Sequence, residues 1–352
     1  MSNRGLACLF ACWLALLTYA QPRGTLRVME YNVENLFDTL HAVGHQDAEF
    51  TPQGNHQWGS ARYWAKLSRL SKVIAAVGGA APVDLVALVE VENDSVVYDL
   101  TKRTKLWTMG YEYVMTHSAD VRGINVALLY LPHRFRLLSK DSIRIMPLSA
   151  RQRVTRDVMH VAGELVTGDT LDVLVCHFPS RRGGEMAQRY RSLVAQRVRR
   201  VTDSIISHRQ HPYVLITGDF NGYYPEPFLR GDLGVKLRSQ ADTAHFISSS
   251  DLYLLTHQLR GRADVRGTYK FQGVWNQLDH FVVNGAFWQR TSSLFIHEVK
   301  GDFCRLVDFP FLLQSDKSGQ GSVHPFRTYI GPYYQGGYSD HLPIVLDIDY
   351  HE

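Results

Sequence analysis

Residues 213–221 read YVLITGDFN. Tyr213 to Thr217 are aromatic, aliphatic and β-branched, the composition of a buried strand. The run stops at Gly218, with Asp219 and Asn221 just beyond. Taken alone this is a strand that ends in a turn, since Asp and Asn side chains bond their own backbone there. The pattern recurs, however. LRVMEYN ends at Asn32 with Glu34 two residues on, DLVALVE ends at Glu90, and LDVLVCH ends at His177. GVWNQLDH sets Asp279 at the start of a strand, and YSDH sets Asp340 and His341 directly before LPIVLDIDY. Polar groups confined to strand ends converge on a cleft at a sheet edge, where ligands of α/β folds bind.

Further strand-like runs lie at 111–118 (YEYVMTHS) and 124–132 (INVALLYLP). Two segments carry a helical period instead. In residues 60–79, Trp64, Leu67, Leu70, Val73, Ile74 and Val77 form one stripe, and Gly78 and Gly79 supply the stop. In residues 184–208, Tyr190, Leu193, Val194, Val198, Val201 and Ile205 form another, with five arginines on the other faces. Strands separated by helices, together with strands that follow one another directly, predict an α/β sandwich of mixed sheets. Residues 40–60 and 300–336 break the rhythm and read as insertions, with Gly-Gln-Gly at 319–321 the piece most prone to disorder.

The chain has 352 residues, 45% hydrophobic and 20% charged, a globular composition rather than a disordered one. A formal net charge of +4 is too small to announce a nucleic-acid binder by itself. Residues 1–20 combine one charge, Arg4, an apolar run from Leu6 to Leu17 and a small residue, Ala20. That is the pattern of a cleaved secretory leader, and it predicts a secreted or periplasmic protein. The run is shorter than the roughly 20 residues that span a bilayer. Lipoprotein anchoring at Cys12 is the weaker option. Of the four cysteines, Cys176 and Cys304 follow this segment, at no zinc-type spacing.

The strand-end set holds carboxylates (Glu34, Glu90, Asp340), carboxamides (Asn32, Asn221) and imidazoles (His177, His341). Hard oxygen donors with few imidazoles and no thiolates suit Mg²⁺ or Mn²⁺. A cation, an imidazolium and amide donors together can stabilise the charge that builds on a phosphoester under attack. An imidazole oriented by a carboxylate can move the proton of a water.

The ordered series YNVENLF, ALVEVEN, CHFPS, GDFN, QLDHF and YSDHLPI resembles the endonuclease/exonuclease/phosphatase superfamily over roughly residues 25–350. The resemblance implies one large domain with a DNase-like fold, a four-layered α/β/β/α sandwich of two mixed sheets. It implies a metal site at Glu90, Asn32, Glu34 and Asp340. Asp219 would position or deprotonate the attacking water, and Asn221 would contact the phosphate. Asp279 would orient His341, which serves as base or phosphate contact, and His177 would stabilise or protonate the leaving group. Cys176 and Asn125 depart from the residues expected at their positions. Arg181 and Arg182, in PSRRGGE after His177, and Arg122 are placed to clamp phosphate oxygens. Trp275 stands where it would line a pocket or the core.

The expectation is therefore a secreted, metal-dependent phosphodiesterase whose substrate is nucleic acid. No protein partner is implied. A lipid phosphodiesterase or a sugar or inositol phosphatase uses the same scaffold. The lipid reading needs an exposed apolar hairpin, for which FPFLL (309–313) is the candidate. A binding module without chemistry has no use for the full acid, amide and imidazole set.

Overall fold

Alternation along the strands sorts their side chains into two interiors. In β7 (Thr170–His177), Leu171, Val173 and Val175 join one buried cluster, while Leu174 and Cys176 join a second. β8 (Tyr213–Asp219) repeats this with Leu215 on one side and Val214 and Ile216 on the other. A period of two on strands buried on both faces means that each face is covered by a separate layer. The computed structural model describes residues 24–147, 149, 154–238, 247–289, 292–316 and 322–351. The expected leader and the Gly-Gln-Gly piece lie outside the described residues.

One sheet runs in the order β11 (Leu259–Arg260), β16 (Cys304–Leu306), β21 (Ile344–Tyr350), β1 (Gly24–Leu36), β2 (Leu85–Val91), β4 (Asn125–Tyr130) and β3 (Glu112–Met115), with β15 (Leu294–Ile296) on β21. The other runs β5 (Phe135–Ile143), β6 (Val158–Leu165), β7, β8, β14 (Asp279–Asn284), β10 (Leu252–Leu254) and β9 (Val235–Lys236). Both sheets mix parallel and antiparallel pairs: β1–β2 and β7–β8 are parallel, β1–β21 and β8–β14 antiparallel. Three hairpins stand apart: β12 (Tyr269–Phe271) with β13 (Val274–Asn276), β17 (Leu313–Ser315) with β18 (Val323–Pro325), and β19 (Tyr329–Ile330) with β20 (Tyr333–Tyr334).

The helices supply the outer layers. α1 (Ser60–Gly78) buries Leu67, Leu70, Val73 and Ile74 in the cluster that holds β1 and β2, each side chain contributing about 1.5–3 kcal/mol. It ends where the sequence predicts, at Gly79, whose φ of 68° few other residues adopt without strain. Trp64 departs from the expected stripe and is 37% exposed, edge-on against Tyr63. α2 (Asp94–Lys102) is capped by the Asn93 side chain, which accepts the Val96 N–H. α3 (Gly184–His208) packs Tyr190, Val194 and Val198 on Leu174, Cys176 and Ile216 of the second sheet. The result is the α/β/β/α sandwich.

The residue runs named in the sequence fall on β1, β2, β3, β4, β7, β8, β14 and β21. The β5–β6 hairpin was not foreseen. β5 reads FRLLSKDSI with an exposed polar face, so its apolar signal is thin. Cys176 and Cys304 are both buried and free, in different clusters. FPFLL is not an exposed hairpin: Leu312 is buried in the main core, and Phe309, Phe311 and Leu313 pack against it.

Candidate active site

Register brings the polar strand ends together. Across the second sheet His177 pairs with Asp219 in parallel, and Asp219 faces Asp279 antiparallel, so three adjacent strands present three polar residues side by side. In the first sheet Asn32 pairs with Val89, which sets Glu90 one step further along the neighbouring strand. β21 runs antiparallel to β1 with Ile344 opposite Glu30, so Asp340 and His341 enter at the same rim.

The backbone is strained at this rim. Glu34 (φ 52°), Asn35 (49°), Glu90 (68°) and Asn221 (50°) are left-handed. Such conformations cost on the order of 1–3 kcal/mol each outside glycine, and they persist where the surroundings enforce them. Gly218, with φ 133°, allows close approach of β7: a Cβ there would lie 1.9 Å from the Cys176 carbonyl oxygen.

Asp219 is the hub. Its Oδ2 accepts Nδ2–H bonds from Asn32 and Asn221, each at 3.1 Å, and its Oδ1 accepts the Asn221 N–H at 2.8 Å. Nε2 of His177 lies 3.8 Å from Asp219 Oδ2 and 3.8 Å from Glu90 Oε1. Nε2 of His341 lies 3.9 Å from Asp219 Oδ2, and Nδ1 of His341 is 2.7 Å from Asp279 Oδ2. Glu90 Oε2 accepts the Asn35 N–H at 2.9 Å.

Burial and neighbouring charges push these groups apart. Burial, followed by the Asp279 charge, raises Asp219 to about 7. Burial alone would discharge His341, but Asp279 by charge and hydrogen bond, then Asp219 and Asp340, hold it well above the ordinary imidazole range. Burial, then Arg156, Arg122 and His341, drive His177 well below that range, so it is neutral. Burial would raise Glu90, yet Arg122, the Asn35 N–H, His341 and Arg156 bring it below the ordinary glutamate value. Groups of one chemical type held in opposite states mark a functional cleft.

Glu34 differs from the other acids. It accepts N–H bonds from Thr328 (2.6 Å) and Tyr329 (3.3 Å), with Lys66 Nζ 3.9 Å away. Burial, then Asp340, raise it to about 7. Glu34 and Asp340 both border a cavity of about 180 Å³. Among the described residues, Asp219, Asp279 and His341 have potential ligand atoms within 4.8 Å of one another, a grouping able to hold an ion.

The three arginines separate. Arg122 is in the cleft, with Nη2 2.7 Å from Asn35 Oδ1 and 3.7 Å from Glu90 Oε1. Arg181 sits over the Tyr223 ring at 4.8 Å and 3.6 Å from Glu226, on the exposed lip. Arg182 is exposed there too. Sequence reasoning missed Arg156, which is buried, donates to the Phe178 carbonyl at 3.1 Å and adds positive charge beside His177. A lone Arg before β6 gave no signal. It also missed Ser339, inside the YSDH stretch, which donates to the Asn32 carbonyl at 2.7 Å and accepts the His341 N–H at 3.1 Å. Glu30 was missed as well. It is fully buried, neither oxygen has a hydrogen-bond partner, and burial, then Asp279 and Asp219, raise its pKa well above normal.

A family model described as the Endonuclease/Exonuclease/phosphatase family matches residues 27–350. Solved structures share the fold at low identity. An endonuclease/exonuclease/phosphatase from Bacteroides vulgatus is 13% identical, with a TM-score of 0.56 over 94% of this chain and 100% of that one. D. rerio TDP2, complexed with a single-strand DNA product, is 17% identical, with a TM-score of 0.54 over 92% and 98%. The human Nocturnin catalytic domain, with a bound sulfate anion, is 18% identical, with a TM-score of 0.51 over 93% and 95%. No curated protein sequence matches the chain.

Proposed function

The chain belongs to the endonuclease/exonuclease/phosphatase family, and from that premise we propose that it is a divalent-metal-dependent phosphodiesterase acting on nucleic acid. The observation that carries this reading is the geometry of the cleft: Asp219 Oδ2 lies 3.1 Å from the side-chain nitrogens of Asn32 and Asn221, 3.8 Å from His177 and 3.9 Å from His341, with Glu90 3.8 Å from His177 and Asp279 2.7 Å from His341.

The donor set fits a hard cation. Glu90 is kept ionised 3.8 Å from His177, Asn32 bonds Asp219 in the same cleft, and Asp340 and Glu34 border the adjoining cavity. Asp219, Asp279 and His341 form the tighter group, but a protonated imidazole offers no lone pair, and Asp279 already bonds His341. We therefore assign the cation to Glu90, Asp340, Asn32 and Glu34. When bound, Mg²⁺ or Mn²⁺ would neutralise charge on the phosphate and act as a Lewis acid.

The chain's own groups do the rest. Asp219, held by Asn32 and Asn221, takes the proton of the attacking water. His341, turned by Asp279, presents its Nε2–H to the phosphate as charge builds. His177 is neutral, so its environment suits a hydrogen bond to the leaving oxygen rather than the gift of a proton. Arg122 and Arg156 add positive potential on the His177 side, and Arg181 and Arg182 meet more distant phosphates.

Nucleic acid is preferred over lipid because aromatic rings reach the site: Phe271 lies 6.5 Å from Tyr269, and Tyr269 lies 4.9 Å from His341, a series on which a base can stack. The β12–β13 hairpin that carries them also exposes Val274 beside Phe271, and this apolar tip favours the lipid phosphodiesterase as the second reading. A secreted or periplasmic setting rests on residues 1–20 of the sequence alone.

The test offers supercoiled DNA, single-stranded DNA, RNA, sphingomyelin and inositol phosphates to the purified protein with Mg²⁺, Mn²⁺ or EDTA. Metal-dependent cleavage of a nucleic acid is expected. Turnover of the lipid or inositol phosphates alone would replace the substrate, and salt-sensitive DNA binding without cleavage would replace the enzyme with a binding module.

A further inference from the structure

The cavity of about 180 Å³ lies between the two insertions. Phe50, His56 and Trp58 come from the first, Arg327 and Tyr329 from the second, and Glu34 and Asp340 border it on the cleft side. Nothing in the proposed chemistry uses the two walls.

Those walls are fixed. Phe50 is stacked between Phe37 (4.6 Å) and His56 (4.5 Å, 4° between planes). Tyr329 meets His56 edge-on at 4.5 Å and donates from its hydroxyl to the His56 carbonyl at 2.8 Å, so each insertion holds the other. Trp58 Nε1–H donates to the Phe37 carbonyl at 3.0 Å. The second wall is fastened to the end of β1 through Glu34, which accepts the Thr328 and Tyr329 N–H groups, and to α1 through buried Lys66, which donates to Thr328 Oγ1 at 2.5 Å. A space held this firmly needs little ordering when it is filled.

Its size and lining limit the occupant. Pockets for whole drug-sized ligands run to roughly 300–1,000 Å³, so this one takes a single ring. Arg327, Asn35, Thr328 and His56 add polar atoms to the aromatic walls, so the ring carries hydrogen-bonding groups. Bordered by Glu34 and Asp340, it adjoins the phosphate that the cleft would hold. The group bonded to a nucleic-acid phosphate is a pentose, and the buried rings of Trp58, Phe50 and Tyr329 back the cavity, so a strand that enters it is stopped there.

Resting on the phosphodiesterase reading above, we infer that this cavity seats the terminal pentose of the substrate, and that the chain therefore removes nucleotides from a strand end rather than cutting within a strand.

The experiment compares a linear single-stranded oligonucleotide with a covalently closed circle of the same sequence, in Mg²⁺. The linear strand is expected to shorten one nucleotide at a time, and the circle to react at least about tenfold more slowly. His56→Trp, which adds ring volume at the cavity, and Arg327→Met are each expected to raise KM for the linear strand about tenfold or more, with a smaller change in kcat. A circle cut as fast as the linear strand, or both variants with an unchanged KM, overturns the inference. Bis(4-nitrophenyl) phosphate, which has no sugar, separates the two readings. If wild type fails to hydrolyse even this diester, the phosphodiesterase reading falls. The cavity is then judged by ribose 5-phosphate alone: a rise in wild-type Tm that His56→Trp abolishes supports it, and no rise in wild type overturns it.

Discussion

His341 is oriented by Asp279, 62 residues earlier in the chain, through a buried Nδ1 to Oδ2 contact of 2.7 Å, and not by its neighbour Asp340. The contact crosses between the two sheets, since Asp279 opens β14 and His341 precedes β21. It fixes which imidazole nitrogen faces Asp219, and so ties the sandwich to the chemistry.

Asp279→Ala should therefore copy His341→Ala. Each is expected to lower kcat/KM by about 10²–10⁴, the usual worth of positioned proton-transfer and charge-stabilising groups, with Mg²⁺ affinity little changed. Asp340→Ala should instead weaken Mg²⁺ binding. Titration calorimetry beside steady-state kinetics separates the two outcomes. An Asp279→Ala enzyme that loses metal and keeps kcat would reverse the assignment.

The pH profile follows from two opposed shifts. Asp219, raised to about 7 by burial and then by Asp279, accepts a proton only when ionised, so kcat/KM should rise as pH passes 7. His341, held well above the ordinary imidazole value, stays charged further up, so the falling limb should lie in the alkaline range. Asp279→Asn removes a negative charge from both. Both limbs should then move to lower pH, and a stationary alkaline limb would show that His341 does not govern it.

Glu90 is held ionised without any metal, by Arg122 and the Asn35 N–H against the effect of burial. Glu90→Gln keeps the shape and removes the charge. The Mg²⁺ concentration for half-maximal activity should rise by at least about tenfold, since even groups behind a metal's direct ligands are worth about 10–100-fold. An unchanged Mg²⁺ dependence would place the cation elsewhere.

Lys66 is a buried cation whose Nζ donates to Thr328 Oγ1 and the Tyr338 carbonyl, both at 2.5 Å, with Glu34 3.9 Å away. Burial lowers Lys66 to about 8 against the pull of Glu34, so it is mostly charged at pH 7.5; there Lys66→Met leaves a buried acid without its cation and should cost about 3–5 kcal/mol of unfolding free energy. The sign with pH is set by Glu34. Its folded pKa of about 7 exceeds the ordinary glutamate value of 4.5, so its contribution is present at low pH and lost as pH rises through 7. The variant raises that folded pKa further, so its deficit should shrink toward pH 5. Urea unfolding at both pH values measures this, and an equal deficit at both would contradict it.

Much of the sandwich was legible because buried strands advertise themselves. YVLITGDFN and LDVLVCHF are apolar to their ends, and the polar residues that stop them are the ones the register aligns. The Asp279–His341 pairing followed from a family likeness, since nothing local in either stretch joins residues so far apart. β5 escaped notice because half of its side chains face water. Arg156 escaped because its burial depends on Asp120, 3.7 Å away, and on the Phe178 carbonyl, contacts made only in the folded chain. The cavity walls escaped because Phe50, His56 and Tyr329 meet only once two irregular segments have folded against each other.

The most direct measurement is hydrolysis of labelled single-stranded DNA by wild type, Glu90→Ala and His341→Ala, each with Mg²⁺ and with EDTA. The cleft described here predicts turnover by wild type in Mg²⁺ alone, and its loss in both variants while they keep a cooperative thermal unfolding. Metal-dependent turnover that survived both substitutions would contradict it.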